Sequence, residues 1–106
     1  MNASDIDNTD EAERQRAEVR SLCRDHRYED AADLCRTLSD GVLIFTPCEA
    51  IADFIHNTRL AEAVRLYEIR AEFYRYEGTQ ATGSGEGIAA MDNLRRVEEK
   101  LKKLKG

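Results

Sequence analysis

Large apolar residues recur along this chain at three- and four-residue steps, the spacing of one face of an α-helix. From Thr9, the positions Ala12, Gln15, Val19, Leu22, Cys23 and His26 share a face, while Glu13, Arg14, Arg20 and Arg24 fall elsewhere. This predicts an amphipathic helix ending near His26. Tyr28, Ala31, Ala32, Leu34, Cys35 and Leu38 mark a second helix, with Asp40-Gly41 at the expected left-handed cap. The two should pair as an antiparallel hairpin. Thr46-Pro47-Cys48-Glu49 is the strongest start signal: Thr46 suits the cap, Pro47 the first helical position and Glu49 the return arm of a capping box. The helix it opens carries Ala50, Ile51, Phe54 and Ile55 and breaks at His56-Asn57-Thr58. A fourth helix is expected over residues 59–76. Leu60, Ala63, Val64, Tyr67, Ala71 and Tyr74 build its apolar face, and Leu66, Phe73 and Tyr76 widen it.

Residues 78–87 contain four glycines and no large apolar side chain, which predicts a flexible Gly-rich linker. A last amphipathic helix follows over residues 88–104. Its Ala90, Leu94, Val97, Leu101 and Leu104 alternate four-three-four-three, the seam spacing of a coiled coil. A helix this short is not stable alone, so it must cover either the domain's own core or another chain. Both readings stand at this point.

Composition agrees with helices. With 106 residues, 35% charged and a single Pro, the chain fits one all-α domain better than a turn-rich β fold. The stretch 1–8 is polar and acidic and is expected to be disordered. The resulting organisation is a disordered amino terminus (1–8), a helical-hairpin domain of antiparallel helices (9–77), the linker (78–87) and the terminal helix (88–106), about five helices in all. The longest aliphatic or aromatic run, Val42 to Phe45, is far too short to cross a bilayer, and the acidic start lacks the parts of a secretory signal. A cytoplasmic protein with three free thiols, Cys23, Cys35 and Cys48, is the expectation. The net charge of −5 argues against nucleic-acid binding. Arg95, Arg96, Lys100, Lys102, Lys103 and Lys105 nonetheless form a basic carboxyl terminus, which keeps a small regulatory nucleic-acid binder as an alternative.

The chain matches itself at a period of 32. Arg27-Tyr28-Glu29-Asp30-Ala31-Ala32-Asp33-Leu34-Cys35 lies over Arg59-Leu60-Ala61-Glu62-Ala63-Val64-Arg65-Leu66-Tyr67, sharing Arg, Ala and Leu. A small Ala at that place lets a partner helix approach closely, and the larger residue four places on fills the gap. Residues 12–76 thereby resemble tetratricopeptide repeats, with Tyr28, Ala31 and Cys35 in one copy and Leu60, Ala63 and Tyr67 in the other. In the carboxyl-terminal half, Ala63-Val64-Arg65-Leu66-Tyr67, the pair Tyr76-Glu77 and a helix ending Arg96-Val97-Glu98-Glu99-Lys100-Leu101-Lys102-Lys103-Leu104 also resemble the last two helices of a microtubule-interacting and trafficking domain. Both resemblances imply a helical scaffold that binds peptide segments.

Candidate chemistry is sparse. Cys23 and His26, with Cys35, Cys48 and His56, could make a Cys/His metal-dependent sensor, but no paired knuckle is present and each Cys sits at an apolar helical position. Core packing is the favoured reading. A Cys nucleophile lacks an orienting acid, and Gly83-Ser84-Gly85-Glu86-Gly87 lacks the lysine of a phosphate loop. No catalytic, cofactor-binding or metal residue is assigned, and no small-molecule substrate is expected. Tyr67, Tyr74 and Tyr76 beside Arg65, Arg70 and Arg75 could form a recognition surface, but Tyr74 and Tyr76 cannot both face one core. The expected function is a noncatalytic protein-protein interaction module that binds a peptide or helix or self-associates. Its candidate partner surface is Leu94, Val97, Leu101, Leu104, Tyr74 and Tyr76.

Overall fold

The side chain of Thr9 accepts a hydrogen bond from the Ala12 amide (3.0 Å) and starts α1 (Asp10–Arg24), whose first turn holds Asp10, Glu11 and Glu13 against the positive end of the helix dipole. The helix closes with His26 in the left-handed region at φ 58°. The Arg27 amide reaches back to Leu22 O (2.8 Å) and the His26 amide to Cys23 O (3.0 Å), a Schellman motif with histidine where glycine is usual. His26 therefore lies exposed in the turn rather than on the apolar face expected for it.

A computed structural model of the chain describes residues 8–80 and 85–106. Beyond α1, the described residues form α2 (Tyr28–Cys35), α3 (Asp40–Leu43), α4 (Cys48–Ile55), α5 (Leu60–Gln80) and α6 (Gly85–Lys105). The fold is all-α. α1 packs on α2, α4 on α5 and α5 on α6, as neighbouring helices of hairpins do, while α3 rests on α1 and α4 bridges α2 to α5. Among the described residues no helix is long and apolar enough to cross a membrane.

Asp40-Gly41 does not cap the second helix. It opens the four-residue α3, with Ser39 as its cap, and the only glycine with positive φ among the described residues is Gly106. The reason lies in Val42, Leu43 and Ile44, which are all buried and pull this turn into the core. The capping box at Thr46 is also absent. α4 begins at Cys48 without a side-chain cap; the buried Thr46 hydroxyl donates to Leu43 O (2.7 Å) and sits 3.2 Å from Cys48 Sγ. Glu49 points to a different helix altogether, as described below.

The core runs through every layer. Val19 of α1, Ala31 of α2, Leu43 of α3, Ile51 and Ile55 of α4, Ala63 of α5 and Val97 of α6 have no exposed surface. The two Ala positions matched by the 32-residue period, Ala31 and Ala63, are equally buried, as are Cys35 and Tyr67 four places on. That is the close-approach geometry a small side chain permits.

Helix occupies part of the stretch expected to be a linker. α5 continues through Gly78 to Gln80 and α6 already starts at Gly85, while residues 81–84 lie outside the described residues, as do 1–7 of the predicted disordered stretch. α6 returns antiparallel along α5. Gly78 faces Met91, Arg75 pairs with Glu98 (3.5 Å) and Glu68 with Lys105 (3.5 Å).

Candidate interaction surface

The terminal helix is fastened to α4 by charge. Arg96 clasps Glu49 through two nitrogens, Nε to Oε2 at 3.0 Å and Nη2 to Oε1 at 2.8 Å, and Lys100 Nζ adds contacts to Glu49 (2.7 Å) and Asp53 (3.0 Å). Asp53 also accepts from the Tyr67 hydroxyl. The Arg96 hydrogen bond, with help from Lys100, overcomes burial and lowers the Glu49 carboxyl to about 2. For Lys100, burial disfavours the ammonium, but its bonds to Glu49 and Asp53 win and raise its pKa. Tyr67 is raised, by burial first and by Asp53 second.

This clamp sets where the predicted surface residues go. Leu94, Val97 and Tyr74 are buried in the core of this chain, and Leu101 and Leu104 pack half-buried against it. Tyr76 is half-buried. The two tyrosines divide as their spacing required: Tyr74 lies inward, its ring against Phe73 and its hydroxyl near Arg96 (3.5 Å), and Tyr76 sits toward the rim. The basic carboxyl terminus is largely engaged within the chain, since Arg96 and Lys100 hold α4, Arg95 faces Asp92 and Lys105 faces Glu68. Lys102 and Lys103 remain exposed.

The cysteine chemistry is muted by burial. Desolvation pushes the Cys35 thiol up to about 12 and Cys48 to about 11, and raises Cys23 as well. Cys48 Sγ instead lies against Leu43 O (3.2 Å). Among the described residues, no group of three or more His, Cys, Asp or Glu side chains is arranged to hold a metal ion.

Three arginines do structural work that the hydrophobic pattern hides. Arg16 is buried, donating from Nε to Val42 O (2.9 Å) and from Nη2 to Gly41 O (3.2 Å), so it closes the carbonyl end of α3 while Nη1 meets Glu13 (3.3 Å). Arg65 donates to Cys35 O (2.9 Å) and Leu38 O (2.8 Å) and so finishes α2. Arg59 binds Glu29 O and the carboxylates of Glu29, Asp33 and Glu62, tying α2 to the start of α5. Arg16 carried a readable signal: four residues after Ala12 and three before Val19, it lies on the apolar stripe itself.

What the core leaves outside is uneven. Ile88 and Met91, one turn apart on α6, are 69% and 49% exposed, and Phe54 is 57% exposed with its ring 5.0 Å from that of Tyr28. Elsewhere a shallow cleft of about 530 Å³ lies between the end of α1, the connection from α3 to α4, and the middle of α5. Phe45 and Pro47 line it with Arg20, Arg24 and Arg70, and among the described residues no carboxylate does. Comparison with models of known protein families, with curated proteins and with solved structures finds no match to this chain.

Proposed function

We propose that this chain is a noncatalytic protein-protein interaction module that binds a peptide or helical segment. The observation that carries this reading is the apolar surface left once the core is filled. Ile88 and Met91 form an adjacent exposed pair, and exposed Phe54 lies beside the half-buried Tyr28, on a surface otherwise rich in charge. Adjacent pairs offer a binding segment more burial than scattered single residues do. The thiols point the same way, because side chains held protonated in a core are poor nucleophiles and poor metal ligands.

Of the two versions of this function, binding a heterologous segment is favoured over self-association through the terminal helix. The seam residues Leu94 and Val97 already fill this chain's own core. The likeness of residues 12–76 to tetratricopeptide repeats agrees with peptide binding. Two measurements on the full chain in reducing buffer test the proposal together: mass by light scattering over a wide concentration range, and selection of a random peptide library on the immobilised protein. A monomer that enriches a family of related peptides supports it. A dimer that dissociates on replacing Ile88 and Met91 with Asp supports self-association instead, and a monomer that enriches nothing contradicts both. Cutting the chain after Gly87 is a poor substitute, because it removes Val97 from the core along with the surface.

A further inference from the structure

Electrostatics single out one place on this surface. In a chain of net charge −5, the cleft beside Phe45 is lined by three arginines and, among the described residues, no carboxylate. Arg20 is partly engaged, with Glu13 (3.1 Å) and with Phe45 O (3.2 Å). Arg24 is exposed in the last turn of α1 and has no carboxylate partner among the described residues. Arg70 has none either. Its guanidinium lies over the rings of Phe73 and Tyr74, 4.5 and 4.8 Å from their centroids. A cation held over aromatic rings spends none of its N–H donors on a carboxylate, so they stay available to an acceptor. Phe45, 37% exposed, and the half-buried Pro47 supply an apolar floor between them.

We propose that this cleft docks an acidic peptide segment of a protein partner, with two carboxylates meeting Arg24 and Arg70 and an apolar side chain resting on Phe45 and Pro47. The assignment rests on the interaction-module reading and gives it a site and a partner chemistry. Charge complementarity selects the occupant. Two arginines without a carboxylate partner among the described residues match a pair of carboxylates, which each guanidinium can bind through two parallel hydrogen bonds. A long polyanion such as nucleic acid needs many phosphate contacts and would meet repulsion from the acidic remainder of the surface.

The test uses the peptides enriched on the full chain, fluorescently labelled, against three variants: Arg24→Glu with Arg70→Glu, Arg24→Gln alone, and Lys102→Glu with Lys103→Glu as a charge-matched control away from the cleft. Thermal melting by circular dichroism verifies that each is folded, and the exposed Arg24→Gln carries the test if the double cleft variant is not. The expected result is enrichment of peptides with at least two acids, about tenfold weaker binding in the double cleft variant, about threefold weaker in Arg24→Gln, and little change in the control. Enriched peptides without acids, acidic peptides insensitive to the cleft variants, or equal loss in the control would each overturn the site while leaving the interaction function standing. Tighter binding of a twelve-nucleotide single-stranded DNA than of any peptide would overturn the partner class. No enrichment at all would remove the function and the site together.

Discussion

Helices α2, α3 and α4 have 8, 4 and 8 residues, while α5 and α6 have 21 each, and the two groups are held together by different means. A helix leaves about four amides and four carbonyls unpaired at its ends whatever its length, so in a short helix the ends are most of the backbone. For α2 and α3 the carbonyl ends are closed by arginines from other helices: Arg16 on the carbonyls of Gly41 and Val42, Arg65 on those of Cys35 and Leu38 just beyond it. The long pair needs no such service along its length. It relies on an apolar seam, flanked by exposed ion pairs such as Arg75 with Glu98, and on the clamp from Glu49 to Arg96. Short helices thus convert long-range polar contacts into stability, and long ones convert length.

That contrast can be broken most severely at Arg16. Arg16→Ala strands two buried carbonyls and opens the core between α1 and α3, so a loss of about 3 kcal/mol in urea unfolding is expected. A loss below about 1 kcal/mol, the range of surface pairs, would mean that α3 is held by its apolar residues alone. Glu49→Gln comes next, at about 2 kcal/mol, because the carboxylate bridging α4 to α6 keeps some contact with water. Its sign with pH is definite: the folded state lowers this carboxyl from 4.5 to about 2, so the contribution is fully present above pH 4.5 and is lost as pH falls toward about 2. The variant should therefore show a flatter loss of stability over that acid window, read from melting temperatures at stepped pH.

A gain is expected at the end of α1. His26 holds φ 58°, which glycine adopts without a side-chain clash, so His26→Gly should stabilise by about 1 kcal/mol. A destabilised variant would show that the ring, 6.1 Å from Tyr28, matters more than the backbone conformation. The smallest effect belongs to the long pair. Arg75→Ala removes exposed contacts to Glu72 and Glu98 and should change stability by less than about 0.5 kcal/mol. A larger loss would place α6 under electrostatic rather than apolar control.

The same contrast explains what could be read from the sequence. α1, α2, α4, α5 and α6 were legible because an amphipathic stripe repeats through each of them. α3 was not, since Val42, Leu43, Ile44 and Phe45 are apolar without interruption and a four-residue helix has no period to detect. Glu49 looked like a local capping residue because its partners Arg96 and Lys100 lie 47 and 51 residues away. Gly78 and Gly87 looked like linker, but α5 continues through the one and α6 through the other, and at Gly78 the packing of Met91 from the neighbouring helix offsets the low helix propensity of glycine. The cleft beside Phe45 was invisible for the same reason as the clamp: Arg24 and Arg70 are 46 positions apart, and only the folded chain brings them to one place.

Native-state hydrogen exchange of Arg16→Ala, compared with the unsubstituted chain, tests the central claim most directly. If long-range arginines secure the short helices and length secures the long ones, amides of α3 and the facing part of α1 lose protection first, while the middle of α5 and α6 exchanges only through global unfolding. Equal loss of protection in all six helices would contradict this division and show that the core responds as one unit.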